Sequence, residues 1–152
     1  MALAAARVLG VAPRAAASAF ASVSDVDGRY LSLWGEGQPG RLFLGKNPAG
    51  GLEVLEVLDA DGRRPVVLVF NANQPDGRDP SWLWDVPYEL LRGQPVAAAG
   101  ERAYDVAVRL RYAEVDHIVE PDPLAAAARL PGDDVNIVAS YTQFSAIYRR
   151  FG

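Results

Sequence analysis

Positions 65–70 read PVVLVF, an apolar run with no polar alternation, and such a run suits a strand whose two faces are both covered. Further short apolar runs repeat along the chain at 41–44, 96–99, 116–119 and 135–140, and helical patterns lie between them at 51–58, 102–113, 123–130 and 143–150. A further short helix is expected at 88–91. Strands joined through helices close into a mainly parallel sheet covered on both sides, so the predicted class is α/β with a Rossmann-like sheet. The first forty residues read differently. Residues 2–10 and 13–23 form two short helices split by Gly10 and Pro13, a helical hairpin, and a linker at 24–29 leads to an extended run at 30–34. The turn-rich 35–40 then marks the expected boundary, with 1–40 before it and the α/β domain at 41–152 after it.

Composition narrows the chemistry. The 152 residues hold no cysteine and one histidine, His117, which excludes a disulfide framework, a cysteine nucleophile and a thiolate zinc site within this chain. Fifteen basic against nineteen acidic residues give a net charge of −4, which argues against a nucleic-acid partner held by bulk charge. No apolar run reaches the roughly 18 residues of a membrane span. The Ala-rich start is interrupted by Arg7 and Arg14 and reads as helix rather than a secretory leader, so a soluble, cytoplasmic protein is expected.

In parallel sheets ligands gather outside the carboxyl ends of the strands, which directs attention to two loops. The first, GKNPAGG at 45–51, carries the only lysine, Lys46, with Asn47 at the start of a helix, a combination able to hold an anion. It is not a Walker A loop, and a helix cap beside a solvated lysine explains it equally well. The second, NANQPDGRDPSWLWD at 71–85, sets Trp82 and Trp84 among Asp76, Asp79, Asp85 and Arg78. Tryptophan is costly to expose, so the loop should be packed and specific; the structural alternative is an ion-paired turn anchored by two core tryptophans. An aspartate here can orient a histidine as the third member of a triad, but with one histidine and no cysteine the other members must come from another chain. His117 flanks a strand and reads as structural, and the hydroxyls of 140–142 read as caps for the last helix. Arg29, in the linker, either reaches a phosphate or is solvated.

LGKNPAG, NANQPDGRDPSWLWD and ASYTQF, in that order and at strand ends, resemble the C-terminal part of the MurT-type subunit of lipid II isoglutaminyl synthase, a relative of the Mur peptide ligases. The DGRD-x-SW-x-WD stretch is the specific element. The first forty residues resemble the end of the family's central ATPase domain, with Asp27-Gly28-Arg29 at the hinge. The resemblance implies an ATP- and Mg2+-dependent ligase subunit that amidates the D-glutamate α-carboxylate of the lipid II stem peptide, with ammonia from a GatD-type glutamine amidotransferase. It further implies that Asp79 completes the partner's Cys-His pair, that Lys46, Asn47 and Arg29 face ATP or the acyl-phosphate, and that Trp82, Trp84, Asp76 and Asp85 dock the partner or anchor the loop.

The family's P-loop and its frequent four-cysteine zinc ribbon are absent from these residues. The expectation is therefore a C-terminal fragment or truncated product of such a subunit, favoured by Met1 falling within a central-domain helix, or else a stand-alone version needing a separate ATPase. Either way it is a component rather than a complete ligase. The alternative is a non-catalytic docking module for an amidotransferase. A small nucleotide-binding protein working alone is disfavoured because no phosphate fingerprint is present.

Overall fold

The computed structural model describes residues 2–23, 30–32 and 40–151. In chain order the elements are α1 (Ala2–Val8), α2 (Pro13–Ala21), β1 (Tyr30–Ser32), β2 (Arg41–Leu44), α3 (Pro48–Ala60), β3 (Val66–Val69), β4 (Val96–Ala99), α4 (Ala103–Tyr112), β5 (His117–Val119), α5 (Pro123–Arg129), β6 (Asn136–Ala139) and α6 (Tyr141–Phe151). Between β3 and β4 lie two 3-10 turns, Ser81–Asp85 and Tyr88–Leu91.

The strands form one sheet in the order β1-β2-β6-β3-β4-β5. Every pairing is parallel except that of β1, which runs antiparallel to β2 with Tyr30 opposite Phe43. The expected α/β class with a mainly parallel sheet is therefore the observed one. Tyr30–Ser32, from the segment read as preceding the domain, supplies the antiparallel edge.

The unbroken apolar run of β3 now has its reason. Val66 and Leu68 face one layer and Val67 and Val69 the other, and all four are fully buried. The first layer holds α3, α4 and both 3-10 turns, through Leu55, Leu58, Val106, Leu110, Leu83, Val86 and Tyr88. The second holds α5 and α6, through Ala126, Leu130, Phe144 and Ile147. In the second layer β4 contributes only Ala97 and Ala99, and small residues let α5 lie directly on β3 and β4. Burying a leucine such as Leu55 or Leu58 contributes about 1.5–3 kcal/mol, so these layers hold the strand ends in place.

Gly100 shows how closely the carboxyl ends are drawn together. Its φ of +83° suits glycine, and an added Cβ would stand 2.5 Å from the Phe70 carbonyl oxygen at the end of β3. The hairpin of α1 and α2 packs helix on helix, leaving Val8, Leu9, Phe20 and Val23 exposed. No helix among the described residues is long and apolar enough to cross a membrane.

Candidate functional site at the carboxyl end of the sheet

β3 and β6 are parallel neighbours, yet their continuations part. After β3 the chain turns to the α3/α4 layer, where Trp82, Leu83 and Val86 pack; after β6 it enters α6 in the other layer. The crevice between diverging connections is where sheets of this kind bind ligands. Here a polar network crosses it. The Asn71 backbone N–H donates to Ser140 Oγ at 3.1 Å, and the Asn71 side chain donates to Thr142 Oγ1 at 3.3 Å while accepting from Glu101 N–H at 3.0 Å and from Gln143 Nε2 at 3.3 Å. Asp76 Oδ1 accepts from the Thr142 N–H at 2.7 Å and Asp76 Oδ2 from the Thr142 hydroxyl at 2.7 Å.

Two expectations change as a result. Ser140 sits where a helix cap would be, but its hydroxyl is turned to Asn71, and the Thr142 N–H in the first turn of α6 is met instead by Asp76, from a loop sixty-six residues earlier. That remote cap is why α6 starts at Tyr141, two residues before the predicted start. The ion-paired turn is also not found. Asp76 is spent on Thr142 and Asn73, and among the described residues no ion pair joins Arg78 to Asp76, Asp79 or Asp85.

Asp79 is exposed, three residues beyond the buried Asp76, with Gly77 at a φ of +89° turning the chain between them. Its Oδ1 accepts from Ser81 N–H at 2.9 Å, at the start of the first 3-10 turn. Hydrogen bonds from the Ser81 backbone and hydroxyl hold the Asp79 carboxyl below its ordinary value, keeping it ionised. The two tryptophans divide. Trp82 is half-buried, edge-on to Phe70 with centroids 5.5 Å apart, and pins the turn to β3. Trp84 is 51% exposed and is not a core residue; it meets Tyr112 of α4 at 5.4 Å. Asp85 is exposed on the same turn.

Lys46 and Asn47 lie at the same end of the sheet, beyond β2 and across β6 from the Asp79 loop. Lys46 is exposed, and Asn47 caps α3, its Oδ1 accepting from Gly50 N–H at 2.8 Å. Asn47 is thus engaged with its own helix, and Lys46 offers one cation. Arg29 lies outside the described residues. Among the described residues no group of three or more His, Cys, Asp or Glu side chains is placed to hold a metal ion. His117 lies opposite Val96, the first residue of β4, and so at the amino edge of the sheet, away from Asp79; its Nδ1 is 2.8 Å from the Val115 carbonyl oxygen.

Sequence reasoning passed over Arg109. This buried arginine on α4 donates from Nη2 to the Val86 carbonyl at 2.9 Å and to Glu89 at 3.0 and 3.1 Å, clamping the end of the Trp84-bearing turn to the helix. One arginine in a helix carries no signal of such a partner.

The fold is similar to that of part of a Mur ligase. It matches part of the crystal structure of UDP-N-acetylmuramate-alanine ligase MurC from Thermotoga maritima with a TM-score of 0.56 and 11% identity, over 98% of this chain and 34% of that one. The MurT ligase C-terminal family matches residues 44–144, and the chain belongs to that family. It is 35% identical over 131 residues to the lipid II isoglutaminyl synthase (glutamine-hydrolyzing) subunit MurT of Staphylococcus aureus strain COL, covering 81% of this chain and 30% of the relative. Against the subunit of the same name from Streptococcus pneumoniae strain R6 it is 32% identical over 114 residues, covering 72% and 26%. The chain therefore spans under a third of the length of these relatives.

Proposed function

We propose that this chain is the amidotransferase-facing part of a MurT-type ligase subunit, with residues 41–152 as its C-terminal domain, whose sheet the β1 strand completes, and with the helical hairpin of 1–40 as the tail of a central ATPase domain. The observation that carries the reading is Asp79. Its carboxylate is ionised, exposed and held in one orientation by Ser81, while the only histidine of the chain sits at the other edge of the sheet. A carboxylate so prepared suits orienting a histidine supplied by another protein, the glutamine amidotransferase of the GatD type. There it would fix the imidazole tautomer and stabilise the imidazolium that forms as the partner's cysteine attacks glutamine. The ammonia released would amidate the D-glutamate α-carboxylate of lipid II, a reaction placed in the cytoplasm where ATP and glutamine are available.

Among the described residues Asn47 is committed to capping α3 and Lys46 supplies a single cationic contact, so ATP and Mg2+, which would activate the carboxylate, would find their other contacts elsewhere in a MurT-type subunit. The test is glutamine hydrolysis by the assembled complex. Asp79→Asn should lower its kcat by about 10⁴-fold, the size of loss when a triad carboxylate becomes an amide. Unchanged turnover would overturn the assignment.

A docking module without chemistry is the second reading, favoured by Trp84 and by Tyr104 and Tyr112 on α4, which are 72% and 73% exposed. It is distinguished by partner binding that Trp84→Ala weakens and Asp79→Asn leaves alone, with hydrolysis indifferent to Asp79.

A further inference from the structure

The two connections that leave the β3–β6 crevice exchange caps. The Ser140 hydroxyl oxygen, just before α6, accepts from the Asn71 N–H in the β3 loop, and both carboxylate oxygens of Asp76 in the β3 loop accept from Thr142 in α6. A helix start served by its own serine would need no such exchange. What the exchange does is tie the Asp79 loop to the start of α6 at a point three residues before Asp79.

The rest of the loop is exposed, with one further tie, from Asn73 Nδ2 to Glu101 Oε1 at 3.4 Å. Asn73, Gln74 and Pro75 before Asp76, and Gly77, Arg78 and Asp79 after it, are all exposed, and Asp76 alone is buried, at 8% exposure. Asp76 also accepts from Asn73 N–H at 3.3 Å, and the Asp76 N–H donates to the Asn73 carbonyl at 3.0 Å, so the turn closes on the same residue. On the far side, Ser81 and the Trp82–Phe70 contact hold the chain. Asp79 therefore projects from a short span fixed at both ends, and only the Asp76 end depends on a side chain of another element's polar surface.

We infer that Asp76, held by Thr142 across the crevice, is the positioning residue that sets the Asp79 carboxylate for use in a partner's active site. The inference rests on the reading of Asp79 given above. A carboxylate shared between two proteins must already point correctly when the partner docks, because any search it makes afterwards subtracts from the geometry of the triad. Thr142 has the two donors needed, N–H and hydroxyl, and the hydroxyl is the one a substitution can remove.

The experiment measures glutamine hydrolysis by the amidotransferase complex at saturating partner, with partner affinity followed by calorimetry. Thr142→Val, nearly the same in volume, should lower kcat about 10-fold or more, in line with the sensitivity of catalysis to displacements of an ångström. KM for glutamine and partner affinity should stay within about twofold, and Thr142→Ser, which restores the hydroxyl, should recover kcat; those two results separate positioning from docking and from general damage. If Thr142→Val fails to fold, Asp76→Asn is judged by the same kcat criterion. Folded variants with undiminished kcat, beside an inactive Asp79→Asn, would overturn the positioning role and leave the Asp79 reading standing. A fully active Asp79→Asn would overturn both.

Discussion

Arg109→Met should destabilise the fold by about 3 kcal/mol, and the structure indicates where that comes from. The Arg109 side chain is 9% exposed, and its Nη2 donates to the buried carbonyl of Val86. A hydrogen bond from a charged donor to a buried acceptor contributes about 1.5–3 kcal/mol. The ion pair with Glu89 is worth less, about 1 kcal/mol at most, because the Glu89 side chain is 41% exposed and screened by water. Its guanidinium also lies 5.5 Å from the centroid of the fully buried Tyr88 ring, a contact worth about 1 kcal/mol. Methionine keeps much of the aliphatic packing and loses the rest. In a chain of this size the loss corresponds to a fall of roughly 10 °C in Tm. Urea unfolding monitored by tryptophan fluorescence checks it, since the guanidinium also stands 6.0 Å from the Trp84 ring and reports on the same turn. Glu89→Gln is the control, with an expected cost below about 1 kcal/mol. An Arg109→Met variant within 1 kcal/mol of wild type, or a Glu89→Gln variant as damaging as Arg109→Met, would refute the Val86 bond as the main contribution.

Asn47→Ala should cost about 1 kcal/mol through loss of the α3 cap, while Lys46→Ala leaves thermal stability unchanged; a scan of both proteins compares them. Burial raises the Tyr88 pKa above its ordinary value near 10, and its hydroxyl has no hydrogen-bond partner among the described residues. The neutral phenol therefore stabilises the fold fully below pH 10 and progressively less above it, as the unfolded chain ionises first. Tyr88→Phe should shift stability at pH 7 by less than about 1 kcal/mol and delay alkaline unfolding, followed by circular dichroism from pH 8 to 12.

The sheet was legible because its cause is local. PVVLVF, VAAA and NIVA are apolar at every or nearly every position, and a strand buried on both faces needs that pattern whatever surrounds it. The loop after β3 was legible as a place, since two tryptophans among aspartates are improbable in a solvated turn. What could not be read was which group each polar side chain answers. Ser140 looks like the α6 cap from its own neighbourhood, and Asp76 looks like a partner for Arg78 two residues on. Both local matches give way to bonds across sixty-nine and sixty-six residues that exist only once β3 and β6 lie side by side. Trp82 and Trp84 are likewise alike in sequence and part only because the 3-10 turn points one at Phe70 and the other outward.

That difference bears on how Asp76 and Asp79 came to do different work from one DGRD motif. Their side chains are the same, and three residues separate them. Asp76 meets donors from another element and is buried, so its carboxylate is hydrogen-bonded within the fold and serves order. Among the described residues Asp79 meets only Ser81, on its own turn, so its charge stays in solvent while its orientation is fixed. The Ser81 bond closes a local turn, as aspartate does in Asx turns, and leaves the rest of the carboxylate facing solvent. On the proposed reading a histidine from another protein meets that open side. The exposed Trp84 on the same turn and Tyr112 beside it form an aromatic surface, which on the proposed reading is where that protein would rest.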